Sequence, residues 1–506
     1  MSSSPRQQAS FMDRAEDAAG VALDPAARLA HTLEAALTTE AGRVTEQGFA
    51  DFLEAQRRLG LTHGQRPLCR HLSPFLLSSA SYHAIARAAE TIAAALERVA
   101  ARALVDPAMA DELGLSADER ALAAIDPGYP QTLAVGRFDT LIEGPGLPCR
   151  FIELNADSPA GITDQLLVER TLMSLPHVRA ARAGAGPAAA WTPAPHLGIL
   201  RALREIYAAW SGGATGAPRP TGAPSIALVD WTTGDTAAEL RVLAEIFRVA
   251  GHPTCIADPG ELRYRSGRLS AGGQAIDLVY RRVIVQELVA RGGLDHPLIA
   301  AYRDRAVCVA NSFRTKSINK KASFAVLSDP AFGDLFTPEQ RARIADHIPW
   351  TRRVRPGPAS WPERSRSSSP RSTSPPSVDM FELLRAHRDE LVLKPNDEYG
   401  GKGVMLGWRT TPAAWDEALA GAAARRLIAQ ARTPIGTVRM PTFDAGAPDG
   451  VGHQRLYFDI CPFVFAGRAE GAMVRLSSAP VSNVSAGGGV SGLLLAGAPG
   501  AERPDV

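Results

Sequence analysis

The chain has 506 residues, 45% hydrophobic and 21% charged, with a formal net charge of +2. This composition excludes wholesale disorder, a fibrous repeat and a membrane channel, and the near-neutral balance offers nucleic acid no global field. There is no run of 18 uncharged apolar residues, no apolar signal core in the polar first 20 positions and no CxxC pair among the five cysteines, so the sequence predicts a cytoplasmic protein with no membrane or nucleic-acid partner, no disulfide framework and no zinc site.

A chain of this length allows about three to four domains. Residues 1–125 read as an N-terminal helical region behind a loose tail, because stretches such as SYHAIARAAETIAAALERVAARAL carry apolar residues at i, i+3, i+4 and i+7. Residues 126–185 change character: an alternating strand (QTLAVGRFDTLI), a GPGLP turn, a second strand (CRFIELNAD) and a helix. An Ala/Gly/Pro linker (183–195) leads to residues 196–312, where strands IALVD, TCIAD, IDLVYRRV and AVCVAN alternate with helices and predict a parallel sheet. Residues 313–410 form a further segment, interrupted by a Ser/Pro/Arg-rich tract (355–377) that reads as a disordered surface insertion. Residues 411–495 return to order, with a helix predicted over 412–430 and strands over 454–465 and 471–478; 496–506 read as a frayed tail.

Four segments carry chemistry. Arg137 and Asp139 stand two apart on one strand, Glu153 and Asn155 two apart on the next, so pairing of the strands places all four on one face, with Phe138, Leu141, Ile152 and Leu154 toward the core. Oxygen ligands beside a guanidinium suit Mg²⁺ and polyphosphate; the pattern equally fits a solvated hairpin face. Only five of the 55 basic residues are lysine (Lys316, Lys320, Lys321, Lys394 and Lys402), all between positions 316 and 402. In a chain that otherwise uses arginine, such lysines read as point charges chosen for a site. In LVLKPNDEYGGKGVMLG, Lys394 ends an apolar strand, and Gly400, Gly401 and Gly403 surround Lys402. Glycines let backbone N–H groups approach phosphate closely, although a plain Gly-rich hairpin turn has the same look. Lys320 and Lys321 open a predicted helix, where the dipole favours anions. Finally, Asp459, Arg475 and Asn483 are polar points on otherwise apolar strands ahead of a glycine triplet.

In this combination the sequence resembles the ATP-grasp superfamily in its circularly permuted form, the branch that includes glutathionylspermidine synthetase-like proteins. Arg137-Phe-Asp139 followed by Glu153-Leu-Asn155-Ala-Asp-Ser-Pro159-Ala-Gly161 is similar to the R-x-D and E-x-N-x-x-P-G strands that end ordinary members, and here it comes first. The resemblance implies an α/β fold: an α+β ATP-grasp lid (313–410 with 411–495), a Rossmann-like pre-ATP-grasp domain (196–312), a metal-binding segment (126–185) and the added helical region. It implies Asp139, Glu153 and Asn155 as ligands of one or two Mg²⁺ ions, Arg137 as the catalytic cation, and Lys320 or Lys321 with Lys394 on the α/β-phosphates of ATP. Gly400, Gly401, Lys402 and Gly403 would be the loop over the triphosphate, Gln430 the adenine hinge, and Arg475 with Asn483 part of the acyl or phosphate pocket. The implied chemistry joins a small-molecule or peptide carboxylate to an amine through an acyl phosphate. Departures are the missing acid after Gln430, the insertion 355–377 and the absence of an N-terminal amidase region. A phosphotransferase and a non-catalytic nucleotide-binding protein are the other two classes these residues allow.

Overall fold

The computed structural model describes residues 24–143, 149–185, 190–212, 222–232, 237–362, 377–480 and 488–498. The tail, the GPGLP turn, Asn483 and most of the Ser/Pro/Arg tract lie outside them. Among the described residues no helix is long and apolar enough to cross a membrane.

The helix Ser79–Val105 carries the predicted periodicity into the core: Ile85, Ala89, Ile92, Leu96 and Val99 recur every three or four residues and are buried. Its first turn is capped by the Ser78 hydroxyl, which accepts from the Ser81 N–H. The region is less uniformly helical than its composition implies. Phe75–Ser78 is a strand that pairs in parallel with Leu493–Ala496, tying the two ends of the described chain together. A local pattern four residues long cannot announce a partner more than 400 positions away.

An antiparallel sheet runs in the order Gly489–Ser491, Arg468–Ser477, Val451–Phe465, Val135–Leu141, Arg150–Asn155, with Thr437–Phe443 also pairing with Val451–Phe465. Away from its polar end it is covered on both faces. Ile460, Val464, Ala472 and Val474 pack toward helix Ser79–Val105, while Cys461, Phe463, Phe465 and Met473 pack toward helices Ile162–Met173 and Pro195–Gly212. The predicted parallel sheet is present in the order Cys308–Ala310, Leu278–Arg281, Ile226–Val229, Thr254–Ala257, all parallel. Ile226, Leu228 and Tyr280 face helices Pro195–Gly212 and Ala237–Val249; Ala227, Val229 and Val279 face helices Val285–Gly292 and Pro297–Arg303. Burial on both faces explains why these strands read as continuous apolar runs. Asn311 joins this sheet to the antiparallel one: its amide accepts from the N–H groups of Ala134 and Val135 and donates to the carbonyls of Val135 and Ala156.

A third sheet is antiparallel: Thr351–Arg353, Leu427–Ala431, Leu391–Pro395, Met405–Leu406. Leu391 and Leu393 pack on helices Met380–Ala386 and Pro412–Ala420 through Leu383, Leu384 and Trp415. The helix predicted over 412–430 is therefore corrected. It ends at Arg425, Arg426 takes a left-handed conformation, and Leu427–Ala431 becomes a strand. Neighbouring strands outweigh the helix propensity of the Ala-rich run. The tract 355–377 is not loop throughout: Pro358–Ala359 pairs with Val378–Asp379, and Trp361 stacks on His387 with ring centroids 4.5 Å apart.

Candidate functional site

One cleft lies between the open faces of two sheets. The even-numbered positions of Leu391–Pro395, Val392 and Lys394, turn away from the Trp415 core and into the cleft, as do Leu406 and Gln430. The opposite wall is the polar end of the larger antiparallel sheet. Its strands pair as the alternation predicts, with Arg137 opposite Asn155 and Asp139 opposite Glu153. Asp459 and Arg475 are also directly opposite each other, and they complete this wall. Leu141 has the parity of Arg137 and Asp139 and faces the cleft with them, and the register shift after Asp139 leaves Ile152 as an extra residue that joins it there, whereas Phe138 and Leu154 face the core; the first two were expected in the core. The cleft encloses about 1170 Å³ not filled by protein atoms, its open mouth included.

Its chemistry is divided along its length. At one end Leu141, Ile152, Val392, Leu406 and Ile435 form an apolar slot next to Gln430 and Ala431, with Trp408 at its side under the Arg432 guanidinium. A flat aromatic base suits such a slot. In the middle stand the lysines. Lys394 is buried and donates to the Gln430 side-chain oxygen at 2.8 Å. Gln430 in turn donates to the Ile152 carbonyl and the Thr351 hydroxyl, so its orientation is fixed. Burial pulls the Lys394 ammonium down to about 8; Glu153 opposes that pull and Lys321 adds to it. Lys321 Nζ donates to the Glu398 carbonyl at 2.7 Å and lies 3.3 Å from the Glu153 carboxylate. Lys402 sits over the Tyr399 ring at 4.6 Å. Gly400, Gly401 and Gly403 all have φ near +70°, which a side-chain-bearing residue adopts only with strain. Gly400 and Gly401 line the cleft; Gly403 is turned against Pro395 instead.

The acidic end is organised by two guanidinium groups. Arg137 donates to Asp139 Oδ1 at 3.2 Å and to the Ala160 carbonyl at 2.8 Å. Arg475 donates to Asp139 Oδ2 at 2.8 Å and to both oxygens of Asp459. Burial raises the Asp139 carboxyl, but Arg475 and Arg137 outweigh it and hold Asp139 well below the usual carboxylate range. For Asp459 burial prevails over Arg475, and its carboxyl is raised.

Both Asp139 oxygens accept from arginine, and Asp139 shares the cleft wall with Glu153 and Asn155. One sequence expectation is corrected. Lys320 does not reach the cleft. It is 2% exposed, with its ammonium 2.6 Å from Asp397 and 3.0 Å from Glu119. Lys320 and Lys321 are sequence neighbours, and the turn between two short helices sends their side chains to opposite sides of the Asn396–Glu398 segment. Among the described residues no three His, Cys, Asp or Glu side chains converge to hold a metal by themselves. The donor set suits a cation that shares its shell with phosphate and water: Glu153, the side-chain oxygen of Asn155, and Glu398, which faces the cleft beside them. Glu398 was not among the expected site residues, although the acid beside the glycine loop was legible in NDEYGG, and Asp459 was singled out as a polar point without a role.

A second cavity adjoins the first and shares Glu153, Asn155, Lys321, Glu398 and Tyr399 with it. It opens at the carboxyl end of the parallel sheet, beside Asp230 and Trp231. Arg282 lines it. Its Nη1 reaches Glu239 at 3.2 Å, while its buried Nη2 finds no acceptor among the described residues.

No protein-family model matches the chain, and no curated protein sequence matches it. Among solved structures the chain is similar to a glutathione synthetase-like effector from Globodera pallida in its apo form, with a TM-score of 0.54 and 11% identity over 90% of this chain and 98% of that one. The likeness shows a shared mixed α/β fold over nearly the full length of both.

Proposed function

We propose that the chain is an ATP- and Mg²⁺-dependent ligase of the ATP-grasp type, with its motifs in permuted order, joining a carboxylate to an amine through an acyl phosphate. One observation carries this reading. Residues from four distant stretches (Arg137 to Asn155, Lys321, Lys394 to Lys402, Asp459 to Arg475) line one cleft that brings apolar side chains, cations and oxygen donors together. Those are the three kinds of contact that a base, its phosphates and their metal need. The likeness in fold to a protein described as glutathione synthetase-like supports the same class.

In this reading the base enters the slot beside Gln430, and Lys394, Lys321 and Lys402 receive the phosphates. Glu153, Asn155 and Glu398 hold one or two Mg²⁺ ions, which neutralise the phosphate charge when bound. The acceptor carboxylate occupies the adjoining cavity, whose wall includes Arg282. Arg137 and Arg475, held rigid by Asp139 and Asp459, stabilise the charge that develops as a carboxylate oxygen attacks the γ-phosphorus and ADP departs. The amine then attacks the acyl carbon and phosphate leaves. Phosphoryl transfer needs positioning and electrostatics rather than a protein nucleophile.

The second reading is a nucleotide-binding protein without turnover, since the neighbour's description as an effector names no reaction. The deciding measurement is release of ADP and phosphate with Mg²⁺ and pooled amino acids, small peptides and polyamines. Stimulated release that Arg137→Ala abolishes establishes the ligase. Tight Mg-ATP binding with no release under any pool establishes the binding protein.

A further inference from the structure

Beneath the cleft, and reaching the wall of the adjoining cavity through Asp157, Lys316 and Asp397, lies a set of six charged side chains. Lys316 Nζ stands 2.7 Å from Asp397 Oδ1 and 3.4 Å from Asp157 Oδ2. Lys320 joins Asp397 to Glu119, and Arg281 donates to Asp157 at 2.6 Å. Three cations thus meet three anions, and Lys316, Lys320, Arg281, Asp157 and Glu119 are all nearly or fully buried. Burying charge costs several kcal/mol per ion, and apolar replacements of such clusters are commonly neutral or stabilising. Stability alone therefore does not account for the cluster.

Its connections do. Asp157 stands two residues after Asn155, on the turn leaving the strand Arg150–Asn155, and the N–H groups of Ala156 and Asp157 are fixed by the Asn319 side chain at 2.9 Å. Asp397 immediately precedes Glu398. The strands that lead into these two segments belong to different sheets, so no sheet ladder joins Asn155 to Glu398; residues 319–322 hold one segment through the Asn319 side chain and the other through the Lys321 N–H, which donates to the Asn396 carbonyl at 3.0 Å, and the charged side chains add to that link. Lys321 spans the same gap from the cleft side, between the Glu153 carboxylate and the Glu398 carbonyl, but there a bound phosphate competes for it. Lys316 makes the span from the adjoining cavity's side, where it lines the wall and is 1% exposed. Gln286 also donates to Asp397, and Glu119 caps its own helix by accepting from the Ser116 N–H at 2.7 Å. The N-terminal helical region, for which the sequence offered no role, is thereby tied to the glycine loop.

The geometry points to Lys316 as a positioning residue, which holds the Asn155 turn and the Glu398 loop at the separation at which their oxygens serve one metal–polyphosphate group. This rests on the Mg-ATP reading above. Lys316 touches neither nucleotide nor metal and acts through Asp157 and Asp397.

The test is calorimetric binding of a β,γ-imido analogue of ATP to the full chain, with Mg²⁺ and with EDTA, for the wild type, Lys316→Met, Lys316→Arg and Glu153→Gln. Thermal unfolding of each checks the fold. Lys316→Met is expected to lose about tenfold or more of the Mg²⁺-dependent gain in affinity, with little change in EDTA, since removing a group that orients metal ligands typically costs about 10–100-fold in metal affinity. Excess Mg²⁺ restores binding, and Lys316→Arg, which keeps the charge, recovers part of the loss. A Mg²⁺ gain equal to the wild type's in Lys316→Met overturns the positioning role alone. Equal weakening with and without metal also overturns it, because that is a purely structural effect. A wild type that binds no nucleotide overturns the Mg-ATP reading and this role with it. If Lys316→Met does not fold, Asp397→Asn cuts the same bridge at constant volume, and the same outcomes apply to it.

Discussion

The Lys394 ammonium lies 2.8 Å from the side-chain oxygen of Gln430, a neutral partner, and among the described residues it makes no ion pair. A buried cation whose hydrogen-bond partner is uncharged is costly in the empty protein and gains a counter-charge when an anion arrives. Lys394→Met is therefore expected to weaken ATP binding by roughly 10–100-fold, the equivalent of one charge-assisted hydrogen bond of about 1.5–3 kcal/mol. The same change is expected to leave the thermal midpoint unchanged or to raise it. Unaltered nucleotide affinity in a folded Lys394→Met chain would remove Lys394 from the site.

The depressed Lys394 also fixes a pH dependence. Its ammonium titrates near 8 in the fold, against 10.5 for a free lysine. Below pH 8 it is charged and contributes fully to anion binding. Above 8 each binding event must take up a proton, so affinity is expected to fall by up to about tenfold per pH unit. For stability the sign is opposite. Between 8 and 10.5 the unfolded chain binds the extra proton, so this residue makes stability rise with pH across that window. Calorimetry in buffers of different ionisation enthalpy measures the proton uptake directly; none at pH 9, or the same uptake in Lys394→Met, counts against the assignment.

Arg475 is the common partner of Asp139 and Asp459, and all three are almost fully buried. Arg475→Met leaves two buried carboxylates facing each other without their shared cation. The expected loss is about 3–5 kcal/mol in chemical denaturation at pH 7. Asp139, held low by the arginines, contributes stability above its unfolded pKa that disappears as pH falls, so the gap between wild type and variant is expected to narrow on acidification. Adding Asp459→Asn to Arg475→Met is expected to recover part of the loss. A single variant as stable as the wild type would mean that water or rearranged donors replace the guanidinium.

Much of the site was legible because its signals are local. Alternation along two strands placed Arg137, Asp139, Glu153 and Asn155 on one face, and the strands pair in that register. The rarity of lysine marked a real concentration of charge: Lys321, Lys394 and Lys402 line the cleft, and Lys316 and Lys320 brace it from beneath. The strand–helix alternation of residues 196–312 was likewise enough to predict the parallel sheet.

What the sequence determined by itself is this inventory: which faces are polar, where cations are scarce and where glycine frees the backbone, all consequences of periods of two and 3.6 residues and of single-residue conformational limits. Tertiary structure alone decided the partners. Arg475 donates to an oxygen of Asp139 from 336 residues away, a contact that neither strand's own pattern announces. Lys320 and Lys321, adjacent in sequence, end up in a buried ion cluster and in the cleft. The Ala-rich run before Gln430 gives way to a strand because Leu391–Pro395 and Thr351–Arg353 lie on either side to pair with it. Each outcome depends on which distant group arrives to satisfy a charge or a backbone hydrogen bond, and packing, not spacing along the chain, brings that group into place.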